Sequence, residues 1–137
     1  MTQTELFKKL GAPLASVGRS WGAIRPSDGA VFLRVWQDRK QKLDGCWYMR
    51  LTDREADRHE TTSFGLQERL KHVELVRQGA PCYLVMCLAK DPDATPRETQ
   101  SFNSREVFVG GEVVEIEGDF WVQIAERVSI RSVLEES

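Results

Sequence analysis

Apolar residues come in short alternating runs along most of the chain, and the breaks between runs mark its elements. Residues 5–10, ELFKKL, predict a short helix with Thr4 as N-cap, stopped by Gly11 and Pro13. A hairpin follows, with strands over 21–26 and 30–38 joined by the turn Ser27-Asp28-Gly29. Residues 38–45, DRKQKLDG, are a charged turn region or a strand extension reaching an Asp-Gly turn, and 46–52, CWYMRLT, form a third strand. Residues 53–63 are polar, lack an apolar period and are the best candidate for a mobile loop.

The period then changes from two to about 3.6. Leu66, Leu70, Val73 and Val76 predict one buried stripe on a main helix over 66–79, ended by Gly79 and Pro81. His72 falls on that helix as a solvated residue. Residues 82–89, CYLVMCLA, are apolar on both faces and predict a central buried strand. A long loop with two prolines covers 90–104. A meander closes the pattern: 106–109, a turn at Gly110-Gly111, 112–116, a turn at 117–119, 120–125, and a short extended piece over 127–130. About seven strands and one substantial helix, without strand–helix alternation, predict an α+β fold. It is a mainly antiparallel, strongly bent sheet or small barrel, with the helix capping an opening.

A chain of 137 residues fits one domain spanning 1–137. No apolar run reaches the ~20 residues of a membrane helix, and the first residues lack the basic-then-apolar order of a secretory signal. The three cysteines, Cys46, Cys82 and Cys87, are read as free buried thiols, so a cytoplasmic protein is expected. The net charge of −2 gives no global attraction to nucleic acid. Its distribution is uneven: residues 1–58 hold eleven Lys/Arg against seven Asp/Glu, and 59–137 hold eight against fourteen.

No complete catalytic motif is present. Pro26-Ser27-Asp28 followed by Asp38-Arg39-Lys40 resembles the PD-(D/E)xK nuclease pattern. Ten residues of extended chain, at ~3.3 Å each, would hold the two carboxylates roughly 30 Å apart. The histidines and cysteines lack metal-ligand spacing, so no metal and no cofactor are expected. Asp91 to Thr95 opens like a calcium loop but has Pro96 and Phe102 where Gly and Glu are required.

Binding has more support. Val31, Leu33 and Val35 share one face of their strand, and Phe32, Arg34 and Trp36 share the other. Aromatics interleaved with a cation suit a stacked base and a phosphate or base edge. Alternatively, Arg34 lies over Trp36 or covers the second side of a twisted sheet with its stem. Trp21, Phe32, Trp36 and Trp47 are the candidate stacking residues. Arg25, Arg34 and Arg97 are the candidate phosphate or base-edge contacts, with Arg50 assisting.

The runs SWGA-R-DG-VFL-VWQD, ERLKHVELVRQGAPCYLVMCLAKDPDATPR…SF and VFVGGEVVEIEGDFWVQI resemble a small bacterial and phage module found alone or ahead of HNH-type nuclease domains. The resemblance implies the non-catalytic part of such a system, because no HNH motif is present. Its outline is similar to PUA-like folds, which include the EVE and SRA readers of modified bases. The leading expectation is a non-catalytic module that binds DNA or RNA and reads an unstacked or modified base. The alternative is a protein-interaction or structural accessory factor of phage or defence systems, with the aromatics in the core or a homodimer interface. A small hydrolase or nuclease using Asp38, Glu106 or His59 is the third reading.

Overall fold

The computed structural model describes residues 1–55, 63–94 and 97–134. Their elements, in chain order, are α1 (Gln3–Lys9), β1 (Gly22–Ile24), β2 (Val31–Trp36), a 3-10 turn (Gln37–Arg39), β3 (Lys40–Leu43), β4 (Cys46–Arg50), α2 (Phe64–Arg77), β5 (Cys82–Ala89), β6 (Thr99–Phe102), β7 (Glu106–Ile116), β8 (Asp119–Ser129) and α3 (Ile130–Val133). One mixed sheet carries all eight strands in the order β1-β2-β5-β7-β8-β4-β3, with β6 paired to the far end of β5. The fold is α+β and mainly antiparallel, as expected. The path is open, so the bent-sheet alternative holds and the barrel does not.

One pairing departs from the mainly antiparallel pattern. β2 and β5 run parallel, Val31 opposite Cys82 through Trp36 opposite Cys87. β5 over Leu84–Cys87 and β2 over Val31–Leu33 are apolar on both faces because both faces are covered there. Phe32 and Val85 pack against Leu6, Phe7 and Leu10 of α1 and Ile130 and Val133 of α3. Val31, Leu33, Val35, Leu84 and Met86 pack against Val73 and Val76 of α2. Met49 of β4, Leu51 just beyond it and Val122 of β8 join that second core, so the sheet bends around α2. Each such fully buried aliphatic side chain contributes about 1.5–3 kcal/mol.

The expected turn at Gly110-Gly111 is instead the interior of β7, a single strand of eleven residues with register shifts against β8 around Gly110. A Cβ at residue 110 would lie 2.7 Å from Cys82 Sγ, so glycine is required by the close approach of β7 to β5. The true turns are Asp44-Gly45 and Glu117-Gly118, where both residues have positive φ, the type I′ geometry of two-residue hairpins. Within 38–45 the strand-extension alternative holds, as β3. The loop expected over 90–104 contains β6, and the extended piece expected over 127–130 divides between β8 and α3.

Both main helices begin earlier than their periodicity suggests. Thr2, not Thr4, caps α1, in a capping box with Glu5, and the Ser63 side chain caps α2 by accepting from Leu66 N. The stripe on α2 is also different. Leu66, Val73 and Val76 are buried as expected, Leu70 is exposed, and Arg69 and His72 take the remaining buried positions.

Arg25 is 6% exposed and belongs to this framework. Its guanidinium donates to Leu10 O at 3.1 Å and Val133 O at 2.5 Å, and pairs with both oxygens of Asp28 at 3.0 and 2.8 Å. It therefore ties the hairpin turn to the ends of α1 and α3. Arg25→Met should strand two buried carbonyls and lower stability by on the order of 3 kcal/mol. The urea midpoint is the measurement, and a midpoint within experimental error of the parent would contradict this role.

Candidate functional site

A cleft of about 360 Å³ opens where the bent sheet fails to close. It lies at the carboxyl ends of the two parallel strands, with Trp36 of β2 and Cys87 of β5 in its wall. Such strand ends are a favoured position for ligands in sheets with parallel pairing. β1 starts only at Gly22, so the outer edge of β2 beyond Arg34 is left to the cleft. The end of β4 faces it from across the gap through Arg50, Leu51, Thr52 and Asp53.

Arg69 of α2 spans this gap. Its guanidinium donates to Leu51 O at 3.1 Å, Trp21 O at 2.9 Å and Arg34 O at 2.5 Å. One buried side chain thus joins β2, the approach to β1 and the exit of β4. Glu68, the preceding residue, accepts from Ser20 Oγ at 2.8 Å and Trp21 N at 2.8 Å. Trp21 itself lies against the start of α2, where a Cβ at Gly65 would come within 2.0 Å of its Nε1.

The lining is strongly cationic. Among the described residues it holds six arginines, Arg19, Arg34, Arg39, Arg50, Arg69 and Arg97, and one carboxylate, Asp53. Arg50 is neutralised by Asp119 at 2.6 Å and Asp53 at 3.3 Å, and Arg39 meets Asp53 at 3.4 Å. Arg97 makes a two-pronged pair with Asp38 at 2.7 and 3.0 Å. That pair holds the Asp38 carboxyl below its usual range, against the opposing effect of partial burial. Arg34 has no carboxylate among the described residues. Its Nη1 donates to Ser20 O at 3.0 Å, and its buried Nε has no hydrogen-bond partner there. Cationic donors in excess of carboxylates are what an oxyanion requires.

The two indoles of the cleft already carry guanidinium groups. Arg97 Cζ lies 5.5 Å from the centre of the Trp36 ring, and Arg69 Cζ lies 5.7 Å from that of Trp21. The rings position cations. Any planar ligand would have to displace Arg97 to reach this face of Trp36, or stack on the outer guanidinium face.

Five of the eight residues expected from the sequence meet here: Trp21, Arg34, Trp36, Arg50 and Arg97. Three do not. Arg25 is held in the framework described above. Phe32 is fully buried and stacks on Tyr83, ring centres 5.0 Å apart, beneath α1. Trp47 is exposed on the β3–β4 hairpin, with Lys40 Nζ 5.6 Å from its ring centre. The alternation of β2 placed Phe32 and Arg34 on one face correctly, but α1 covers only the Phe32 end. Arg19, Arg39 and Arg69 were not singled out from the sequence. Arg69 had a usable signal, because it follows Leu66 by three residues and precedes Val73 by four.

Comparison of the chain with protein-family models, curated proteins and solved structures finds no match. The site must therefore be read from its own chemistry. Cys87 lines the cleft, but burial raises its thiol pKa, and Cys82 is pushed up to about 12 by the same cause. Cys46, expected to be buried, is exposed on β4. Among the described residues no three His, Cys, Asp or Glu side chains gather as a metal-holding group. Asp28 and Asp38 sit before and after β2, each paired to its own arginine. Glu106 lies outside the cleft lining and pairs with Arg127 at 3.4 Å. His59, with the rest of 56–62 from the expected mobile loop, lies outside the described residues.

His72 is 4% exposed, not solvated. Burial lowers its pKa from 6.5, Arg69 adds to the effect and Glu68 opposes it. A folded-state pKa below the unfolded one means the unfolded chain binds more protons. The neutral imidazole's contribution is therefore complete above pH 6.5 and is lost as pH falls toward the depressed folded value. Urea midpoints should fall from about pH 7.5 to about pH 5.5, and His72→Gln should flatten that slope. An unchanged slope in the variant would remove His72 as its source.

Proposed function

We propose that the protein is a non-catalytic nucleic-acid-binding module that takes one unstacked nucleotide of DNA or RNA into the arginine-lined cleft. The observation that carries this reading is the convergence, among the described residues, of six guanidinium groups and two indoles on one concave site with a single lining carboxylate. The phosphate is assigned to Arg34, which has no competing carboxylate among the described residues. Arg97, held on Trp36, is assigned to the base edge or the outer stacked face. The volume, about 360 Å³, lies at the small end of ligand pockets and suits one nucleotide. A net charge of −2 fits local recognition better than broad capture of a polyanion. A cytoplasmic setting accords with three free cysteines. No helix among the described residues is long and apolar enough to cross a membrane.

Tryptophan fluorescence should change on titration with single-stranded oligonucleotides, plain or base-modified. One or two phosphates held by arginine should give a log–log salt slope of about −0.7 to −1.4. Arg34→Gln should weaken binding by roughly tenfold to a hundredfold, the size of a lost charged hydrogen bond. Absence of binding at low salt would reject the function. Equal affinity for the variant would reject the assigned phosphate contact.

A further inference from the structure

A second cavity, of about 530 Å³, lies on the α1 side of Arg34. Gly18 and Arg34 line both cavities, so the two meet at that arginine. Their chemistry differs sharply. Among the described residues Arg34 is the only charged side chain lining the second cavity, beside the N-terminal ammonium of Met1, and the remaining polar lining includes Gln3 and Thr4 of α1 and Thr99, Gln100 and Ser101 of β6. Leu14 and Phe102, both half-buried, add apolar surface. Gln3 also presents an anomaly: its Oε1 is buried and has no hydrogen-bond partner among the described residues. Buried acceptors are almost always satisfied, and an orphan in a cavity wall calls for an explanation.

We infer that the two cavities form one groove for a single strand, in which Arg34 holds the phosphodiester between two successive nucleotides and the second cavity receives the neighbouring base or sugar. The inference rests on the nucleic-acid reading and extends it from one nucleotide to two. The charge division supports it. A phosphodiester carries its charge at the linkage, and the groups on either side of it are neutral, polar and partly apolar. The second cavity offers hydrogen-bonding side chains that suit a base edge or sugar, and the N-terminal ammonium of Met1 in its lining is a cation available to a further phosphate. The orphan Gln3 Oε1 is an acceptor suited to a base amino or imino group or a sugar hydroxyl, reached by a small rotation of the Gln3 side chain.

The test compares a 5′-phosphorylated mononucleotide with the 5′-phosphorylated dinucleotide of the same base, by tryptophan fluorescence and calorimetry. The parent protein should bind the dinucleotide at least about tenfold more tightly, the gain expected from one added base contact of ~1–3 kcal/mol. Ser101→Trp, a change at an exposed position of β6, should fill the second cavity and abolish that gain while leaving mononucleotide affinity unchanged. Gln3→Leu should lower dinucleotide affinity several-fold while keeping or raising the urea midpoint, because an unsatisfied buried acceptor has been removed. A parent without preference for the dinucleotide, or a preference unaffected by both substitutions, overturns the groove and leaves the one-nucleotide reading intact. Failure of the parent to bind either compound overturns both.

Discussion

The guanidinium of Arg69 sets the shape of this molecule. A sheet bent this strongly brings its two ends near each other, and the usual resolution is backbone pairing into a closed barrel. Here the carbonyls of Arg34, on β2, and Leu51, beyond β4, accept instead from one arginine on α2. Burying a guanidinium costs several kcal/mol unless its donors are satisfied, and three carbonyls accept from the two Nη groups of Arg69. The seam is thereby closed chemically and left open geometrically. A direct strand pairing would occupy the same space and remove the cleft.

The choice of carbonyls over carboxylates has an electrostatic consequence. A carbonyl accepts a hydrogen bond without cancelling the charge, so Arg34, which donates to Ser20 O and meets no carboxylate among the described residues, keeps its part of the cleft positive. The carboxylates nearby serve the outer arginines: Asp53 and Asp119 meet Arg39 and Arg50, and Asp38 meets Arg97. Framework arginines such as Arg25 are treated differently, with a carboxylate on one side and carbonyls on the other. The contrast separates a cation paired within the framework from Arg34, whose charge meets no carboxylate among the described residues.

Much of the architecture was legible in the sequence, because alternation and periodicity are local. The central strand over 82–89, the main helix and the Asp-Gly turn follow from runs of a few residues. The β7 reading failed because glycine pairs signal turns by local chemistry, whereas Gly110 answers to a neighbour 28 residues away in Cys82. The parallel pairing of β2 with β5 joins segments about 50 residues apart and has no local signature. The same division runs through the site. Arg34 and Trp36 were visible as neighbours on one strand face, but which end of that face α1 covers depends on packing. Arg69 was overlooked because an arginine on a helix is ordinarily solvated, and only its place within the apolar stripe marked it.

The occupancy of the indoles changes what kind of recognition the proposed function would require of the cleft. A free tryptophan face accepts any base, since every base has a π-face. A tryptophan already bearing a guanidinium instead presents a planar donor array, fixed in orientation by the ring below and by Asp38 at the side. Such an array discriminates by hydrogen-bond geometry, in the way that arginine reads a guanine edge. Under the proposed nucleotide-binding function, selectivity would reside in the Arg97–Asp38–Trp36 unit and affinity in Arg34. A ligand that engages Arg97 must either share it with Asp38 or replace that carboxylate, and the contribution of Asp38 is to penalise ligands that do neither.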